Sequence, residues 1–565
     1  MQFRSILDKE ESSYKGKLRP PFFQDLNLDR ITERIRLDWG EEISSFYHYF
    51  PENGDCGDYR REVLADIKEA GLYEPLCTFC KAMKRRREAA AAKGAVELRL
   101  QRAVWHIRET GYYCDAFAGL FQGLLGKELH SRGMSAFREY LGAYLAGDFF
   151  GNLQEESRKL LEDMKAFRLV LTYENDRITI SCGETEGRYD AFLEKLFPGK
   201  KEKLRSPFEA EPELADLERE LLKAFRKRNP EFFEAAERFY GEYGEYADDK
   251  LIRFASEIGF YLSFLCFSGR MRERGFCFAT PKIIDRFPEW GAGNSPGQAS
   301  SVREAGTEEQ PENLETAYQD AEPAAEEQPE NLKAACGDAE PAVEEQPEIL
   351  EAACGAEMSA VGLYDLALAC TGREVVTNDM FFKEQERFFV LTGPNQGGKT
   401  TFARSLGQLV YFSMMGLDVP AVSARVYRFP DILTHFSVEE SVETGRGKLK
   451  EELTRLAPMM KDLGGRHAFV VINELFTTAA NYDACIMGRR VLEHFLDKGC
   501  FGIYVTHLGD LSGKDGRVAA LQAMVDDRGV QNFKIARSST RSRTNAVNLV
   551  SKHGLSYERL KERLS

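Results

Sequence analysis

The stretch "FFVLTGPNQGGKTTFARSL", residues 388–406, constrains this chain more than any other. Residues 388–391 are an apolar run rich in β-formers, and the sequence from Thr401 onward reads as a helix, so a glycine-rich loop joins a buried strand to a helix. Gly393, then four residues, then Gly398, Lys399 and Thr400 reproduce the spacing of a phosphate-cradling loop. Glycines let successive backbone N–H groups turn inward on an anion, and the helix N-terminus adds partial positive charge. Lys399 can reach the β and γ phosphates of a nucleotide, and Thr400 can hold Mg²⁺. The candidate nucleotide segment is Gly393, Pro394, Asn395, Gln396, Gly397, Gly398, Lys399, Thr400 and Thr401.

Turnover requires a second strand that brings polar groups to the metal and to the attacking water. "AFVVINELF" supplies it: residues 469–472 are fully apolar, as a central parallel strand should be, and are followed by Asn473 and Glu474. Glu474 can orient water as a general base. Asn473 stands where an Asp usually serves the metal; its amide keeps an acceptor oxygen and loses the charge, so metal affinity should fall while the geometry survives. A third apolar strand, "FGIYVTH", presents His507 at its C-terminal end, in reach of a γ phosphate. The sequence therefore predicts an α/β P-loop NTPase domain with a mixed, mostly parallel sheet flanked by helices, using ATP and Mg²⁺, with Lys399, Glu474 and His507 as catalytic candidates and Thr400 and Asn473 as metal candidates.

In order along the chain, these segments resemble the MutS family of DNA mismatch-repair ATPases. "TGPNQGGKTT" resembles its Walker A loop, "VTNDMFF" the segment leading into its nucleotide pocket, and "MMGLDVPA" the end of the helix that follows. "NELFTTAANYDA" is similar to a divergent Walker B with its following loop, "YVTH" to the segment of the family's switch histidine, and "KHGLSYERLKERL" to its closing dimerisation helices. The resemblance covers residues 359–565. It implies that Gly393, Asn395, Gly398, Lys399 and Thr400 bind phosphate and metal, that Glu474 activates water, and that His507 senses the γ phosphate. It also implies a homodimer on mismatched or branched DNA. Two departures stand out: Asn473, and Gly447 and Lys448 where the family usually offers Ser and Thr, the Ser reaching the partner's nucleotide. Slow hydrolysis with binding retained is the expectation; the alternative is a nucleotide-gated binding protein with a degenerate ATPase and no mismatch recognition.

Other P-loop classes fit less well. A transporter ATPase wants an "LSGGQ"-type motif between the Walker strands, whereas "LSGKD" comes after His507 and lacks paired glycines. A chromosome clamp needs long heptad arms between those strands, and fewer than about a hundred residues separate Lys399 from Glu474.

The net charge of -15 is awkward for a DNA-binding protein until it is located. Between residues 301 and 358, seventeen Asp and Glu oppose Arg303 and Lys333, and 17 minus 2 gives the whole excess, so the remainder of the chain is balanced. That segment repeats "EEQPE" at Glu308, Glu326 and Glu344, and its Glu/Pro/Ala-rich composition buries too little apolar surface to offset the entropy of ordering. Residues 289–358 are thus expected to be disordered, between a mainly helical domain at 1–288 and the ATPase domain at 359–565. In the first part, Val96, Leu100, Val104 and Ile107 fall on one helical face, as do Leu214, Leu217, Leu221 and Phe225, and "FRLVLTYENDRITI" predicts a hairpin. "YRREVLADI" and "LIRFASEIGFYLSFLCFSGRM" resemble the core and lever segments of MutS proteins. No stretch resembles the Phe-x-Glu mismatch reader, so the chain is expected to begin in the core. "KRRR" at residues 84–87 reads as a solvated helix face, and Cys77 and Cys80 as helix-packing residues. No apolar run of membrane-spanning length and no signal peptide is evident, and the scattered cysteines suit a reducing compartment, so a cytoplasmic protein is expected.

Overall fold

A computed structural model describes residues 3–9, 19–37, 39, 43–51, 54–96, 98–166, 170–174, 177–181, 222–223, 226–285, 287, 357–436, 448–461, 467–508, 511, 515–525 and 530–538. The acidic repeats, Gly447, the side chain of Lys448, the Leu214 to Phe225 set and the "KHGLSYERLKERL" segment lie outside these residues. The chain divides into two compact units. The first comprises Met1–Pro20, Asp29–Leu265 and Met414–Leu417, and the second Pro21–Leu28, Cys266–Ser413 and Asp418–Ser565.

Among its described residues, the first unit is helical apart from one hairpin. Its helices include α2 (Leu28–Arg36), α3 (Ser44–His48), α4 (Gly54–Glu69), α5 (Tyr73–Ala95), α6 (Arg99–Leu124), α7 (Arg132–Leu145), α8 (Asp148–Ala166) and α9 (Pro230–Glu242). The first part of α10 (Asp249–Glu273) completes it. Helices α5 and α6 run antiparallel: Gly123, near the end of α6, lies so close to Pro75, at the start of α5, that a Cβ there would stand 2.8 Å from the proline ring. Val96 and Leu98 are extended and break the chain between these helices, so Val96 does not share a helical face with Leu100 and Ile107, and Val104 is only partly buried. Buried Leu100, Ala103 and Ile107 make the inward stripe instead. The expected hairpin forms from β1 (Val170–Glu174) and β2 (Arg177–Ser181), paired antiparallel. In "KRRR", Lys84, Arg85 and Arg87 are exposed, while Arg86 turns inward to the buried Glu109 at 3.0 Å.

The extended segment at residues 3–9 is threaded into this unit, with its backbone groups met by side chains. Glu257 on α10 accepts from Ile6 N and Ser5 Oγ, both at 2.8 Å, and Tyr261 Oη, Tyr59 Oη and Arg60 Nε donate to the carbonyls of Ile6, Ser5 and Leu7. Glu257 has no solvent exposure, and burial pushes its carboxyl up to about 7 against the opposing hydrogen bonds. Contrary to the sequence expectation, α10 is by length and composition apolar enough to cross a membrane; 78% of that window is buried inside the fold, as in a core helix.

The second unit is α/β. The expected mostly parallel sheet has the order β12-β11-β6-β10-β9-β8, from β6 (Phe388–Thr392), β8 (Asp431–Phe436), β9 (Ala468–Asn473), β10 (Phe501–Val505), β11 (Val518–Val525) and β12 (Gln531–Arg537). Every pairing is parallel except β11 with β12, which is antiparallel. Strands β9 and β10 are buried throughout, which is why their sequences are continuous apolar runs, whereas β11 alternates and β12 is largely exposed at the edge. A second sheet joins β3 (Lys282–Ile284), β7 (Ser423–Tyr427), β4 (Met358–Leu363) and β5 (Asn378–Phe382) in that order. The unit's helices are α1 (Phe22–Asp25), α11 (Leu366–Ala369), α12 (Lys399–Met414), α13 (Lys448–Met459) and α14 (Asn481–Asp497). Leu456 and Met459 of α13 and Val491, Leu492 and Phe495 of α14 join Val470, Ile472 and Tyr504 of the sheet in one core.

Candidate nucleotide-binding site

Strand register brings the predicted residues together. Leu391 pairs with Val505 and Val505 with Asn473, so β6, β10 and β9 end level and the three following segments leave the sheet at one edge. That edge, at the C-terminal ends of parallel strands, is where open α/β sheets bind ligands.

The loop after β6 is built around close backbone approach. Gly393 has a φ of 139°, and a Cβ there would stand 2.8 Å from Ala523 Cβ and 3.1 Å from the Ala523 backbone nitrogen. Gly398 is left-handed with a φ of 83°. Helix α12 begins at Lys399, two residues before the sequence expectation, because Phe402 N already donates to Gly398 O at 2.9 Å. Lys399 Nζ donates to the carbonyls of Gly393 at 3.0 Å and Pro394 at 2.8 Å. With 4% of its surface exposed, burial pushes the Lys399 ammonium pKa down, and the Glu474 carboxylate opposes that shift. Thr400 Oγ1 donates to Asn473 Oδ1 at 3.0 Å, so both metal candidates are adjacent.

Beyond β9 the backbone is strained. Glu474 has a φ of 56° and Phe476 of 62°, left-handed values that cost a non-glycine residue about 1 kcal/mol or more each. Glu474 N donates to Val505 O at 3.0 Å, and Glu474 Oε1 stands 2.9 Å from His507 Nε2. His507 follows β10 by two residues rather than ending it.

A cleft of about 520 Å³ opens over Lys399, Thr400 and Glu474, while Asn473 and His507 lie outside its lining. Asn395, Gln396, Gly397, Gly398, Lys399, Thr400, Thr401 and Glu474 line it, with Arg373 to Val376, Asn378 and Phe533 opposite in sequence. Gly393 and Pro394 do not line the cleft; they hold Lys399. Phe533 carries no signal of its own in the sequence. It lies on edge strand β12 with a φ of 58°, close to Gly398, and is fixed by Asn378, whose amide donates to Phe533 O at 3.1 Å and accepts from Ile535 N at 2.8 Å. Gln531 Nε2 also donates to Asn395 O at 2.7 Å. The available signal was two strand-like runs, "VAALQAMV" and "QNFKIAR", separated by a "DDRG" turn.

The donor set fits a phosphate-bearing nucleotide: glycines where a Cβ would intrude, a buried ammonium, and an aromatic ring at the cleft wall. For Mg²⁺ it offers two neutral oxygens, those of Thr400 and Asn473. Among the described residues no group of three or more His, Cys, Asp and Glu could hold a metal.

Sheet order, loop and cleft together define a P-loop nucleotide-binding domain of the α/β type. Residues 389–547 match the family model for MutS domain V, so this part of the chain is similar to the ATPase domain of MutS proteins. It is 30% identical over 139 residues to the DNA mismatch repair protein msh-2 of Neurospora crassa, covering 24% of this chain and 15% of that one. It is 26% identical over 150 residues to the DNA mismatch repair protein MutS of Thermotoga neapolitana, covering 26% and 19%. For the MutS protein of Sorangium cellulosum the values are 27% over 169 residues, 30% and 17%. The chain therefore spans less than a fifth of the length of these curated relatives.

Proposed function

We propose that this chain is a MutS-like, ATP-dependent DNA-binding protein of repair or recombination, in which ATP binding and slow hydrolysis control a dimeric clamp on mismatched or branched DNA. The observation that carries the reading is the convergence, at one sheet edge, of Lys399 on the loop carbonyls, Thr400 on Asn473, and Glu474 on His507. The names of the three relatives support the link to mismatch repair. It would act in the cytoplasm as a homodimer.

Bound Mg²⁺–ATP supplies the phosphoanhydride to be cleaved and the metal charge that offsets its negative oxygens. The chain's own residues do the rest. Backbone N–H groups of the 393–401 loop hold the phosphates, and Lys399 leaves the carbonyls of Gly393 and Pro394 to meet them. Thr400 and Asn473 would present neutral oxygens to the metal, so position 473 lacks the charge of the carboxylate that would bind it more tightly. Glu474 parts from His507 to take a proton from water, and His507 is freed to contact the γ phosphate.

Phosphate release by the wild type is compared with Glu474→Ala and Asn473→Asp, alongside binding to homoduplex, mismatched, branched and single-stranded DNA without nucleotide, with ADP and with ATP across a salt series. Glu474→Ala should fall to background while still binding ATP. Asn473→Asp should lower the Mg²⁺ concentration for half-maximal rate by about tenfold, the effect of one added ligand charge. Equal rates for wild type and Glu474→Ala favour the second reading, a nucleotide-gated binding protein without turnover, which the uncharged Asn473 itself motivates. Loss of DNA binding at low salt sinks the clamp.

A further inference from the structure

The turn after β9 carries the proposed general base in a conformation that needs holding. Glu474 and Phe476 are both left-handed and neither is glycine, so local preference pulls the turn elsewhere. One support is the bond from Glu474 N to Val505 O. The other comes from α13: Phe476 N donates to Glu452 Oε2 at 3.1 Å. Glu452 is only 4% exposed. A carboxylate withdrawn from water that far persists where it accepts hydrogen bonds. Leu475 and Phe476 are buried in the same core as Leu456 and Met459, one and two turns further along α13, so helix and turn are packed as one body.

Resting on the ATPase reading above, we propose that Glu452 is a positioning residue for hydrolysis: by accepting the Phe476 amide proton it locks the left-handed turn and aims the Glu474 carboxylate into the nucleotide cleft. Glu452 does not line that cleft and touches no reacting atom. Its effect reaches Glu474 through two peptide units, so it acts on the rate of the chemical step and leaves the phosphate loop as it is.

The full chain is tested as wild type, Glu452→Gln and Glu452→Ala. Three quantities are measured: kcat and KM for ATP, the Kd of a fluorescent ATP analogue, and hydrogen exchange of the 473–479 peptide. Gln retains an acceptor oxygen, so its kcat should stay within about threefold of wild type and its exchange should be near normal. Ala should lower kcat by about ten- to a hundredfold, the effect of a misplaced catalytic group, with KM and Kd within about twofold and faster exchange at the turn. Wild-type kcat in the Ala variant overturns the proposal, as does a Gln variant no better than Ala, or a loss of nucleotide affinity that parallels the loss of rate. If wild type itself releases phosphate no faster than Glu474→Ala, the ATPase reading is what has failed. Exchange then decides the role of Glu452 separately: unchanged protection of the turn in Glu452→Ala overturns it.

Discussion

Two turns leave the same edge of the sheet one strand apart, and they are built by opposite means. The loop after β6 meets most of its unusual backbone angles with glycine, at Gly393 and Gly398, and adds one left-handed side-chain residue, Gln396. The turn after β9 uses no glycine at its left-handed positions, Glu474 and Phe476. In the first, conformational freedom is a property of the residue and costs nothing in contacts. In the second it is imposed by tertiary structure, through Val505 O, Glu452 and the burial of Leu475 and Phe476. A loop that only cradles a ligand can be made from permissive residues, whereas a turn that must aim one side chain is over-determined from outside. The same device recurs in the helical unit, where buried Glu257 holds the backbone of Ile6.

The contrast can be broken at its strongest point by giving the first turn a side chain. Gly393→Ala forces a Cβ against Ala523, at a φ of 139° that side chains rarely adopt. Nucleotide affinity should drop on the order of a thousandfold, about 4 kcal/mol, in a titration with fluorescent ATP, and a drop of only a few-fold would mean the loop yields. The converse change gives the second turn a glycine. Phe476→Gly relieves about 1 kcal/mol of left-handed strain but empties a buried aromatic site, so urea unfolding should report a net loss of about 3 kcal/mol. A variant as stable as wild type would mean that the strain is as large as the packing it opposes.

The smallest effect sharpens the recurrence. Glu257 titrates at about 7 in the fold against 4.5 as a free side chain. Because the folded value is the higher one, its contribution is fully present below the unfolded value and is lost as pH rises through 7. Stability of the wild type should therefore decline between pH 5 and 7 by at most about 1.4 kcal/mol per pH unit, and Glu257→Gln should flatten that slope. Identical slopes in urea midpoints at pH 5, 6 and 7 would remove Glu257 from this role.

Legibility follows the same division. The phosphate loop and the strands β6, β9 and β10 stand out in the sequence because glycine spacing and unbroken apolar runs are local signals. Asn473 and His507 are legible because they follow such apolar runs. Glu452 could not, since a Glu in "KEEL" on an amphipathic helix looks like any solvated residue until the turn it meets, 24 residues on, is folded over it. Phe533 was hidden for a related reason: an exposed edge strand carries little hydrophobic pattern, and its position depends on pairing with β11 and on Asn378, 155 residues away. The extended backbone at Val96 and Leu98 is not legible because helical periodicity continues across it in the sequence.

The short segment Pro21–Leu28 gives the second unit an awkward history. Thr434 Oγ1 and Arg455 Nη2 both donate to Asp25, Arg404 Nε donates to Asp25 O, Gln408 Nε2 donates to Leu26 O, and Phe22 and Phe23 pack on Tyr411. Asp25 and Thr434 are 409 residues apart. At ribosomal speeds of about 5–20 residues per second, Phe22, Phe23 and Leu26 leave the exit tunnel roughly half a minute before the surface that receives them exists. The first part of this unit to be synthesised is among the last to find its place, and a contiguous piece begun at Cys266 would be made without it.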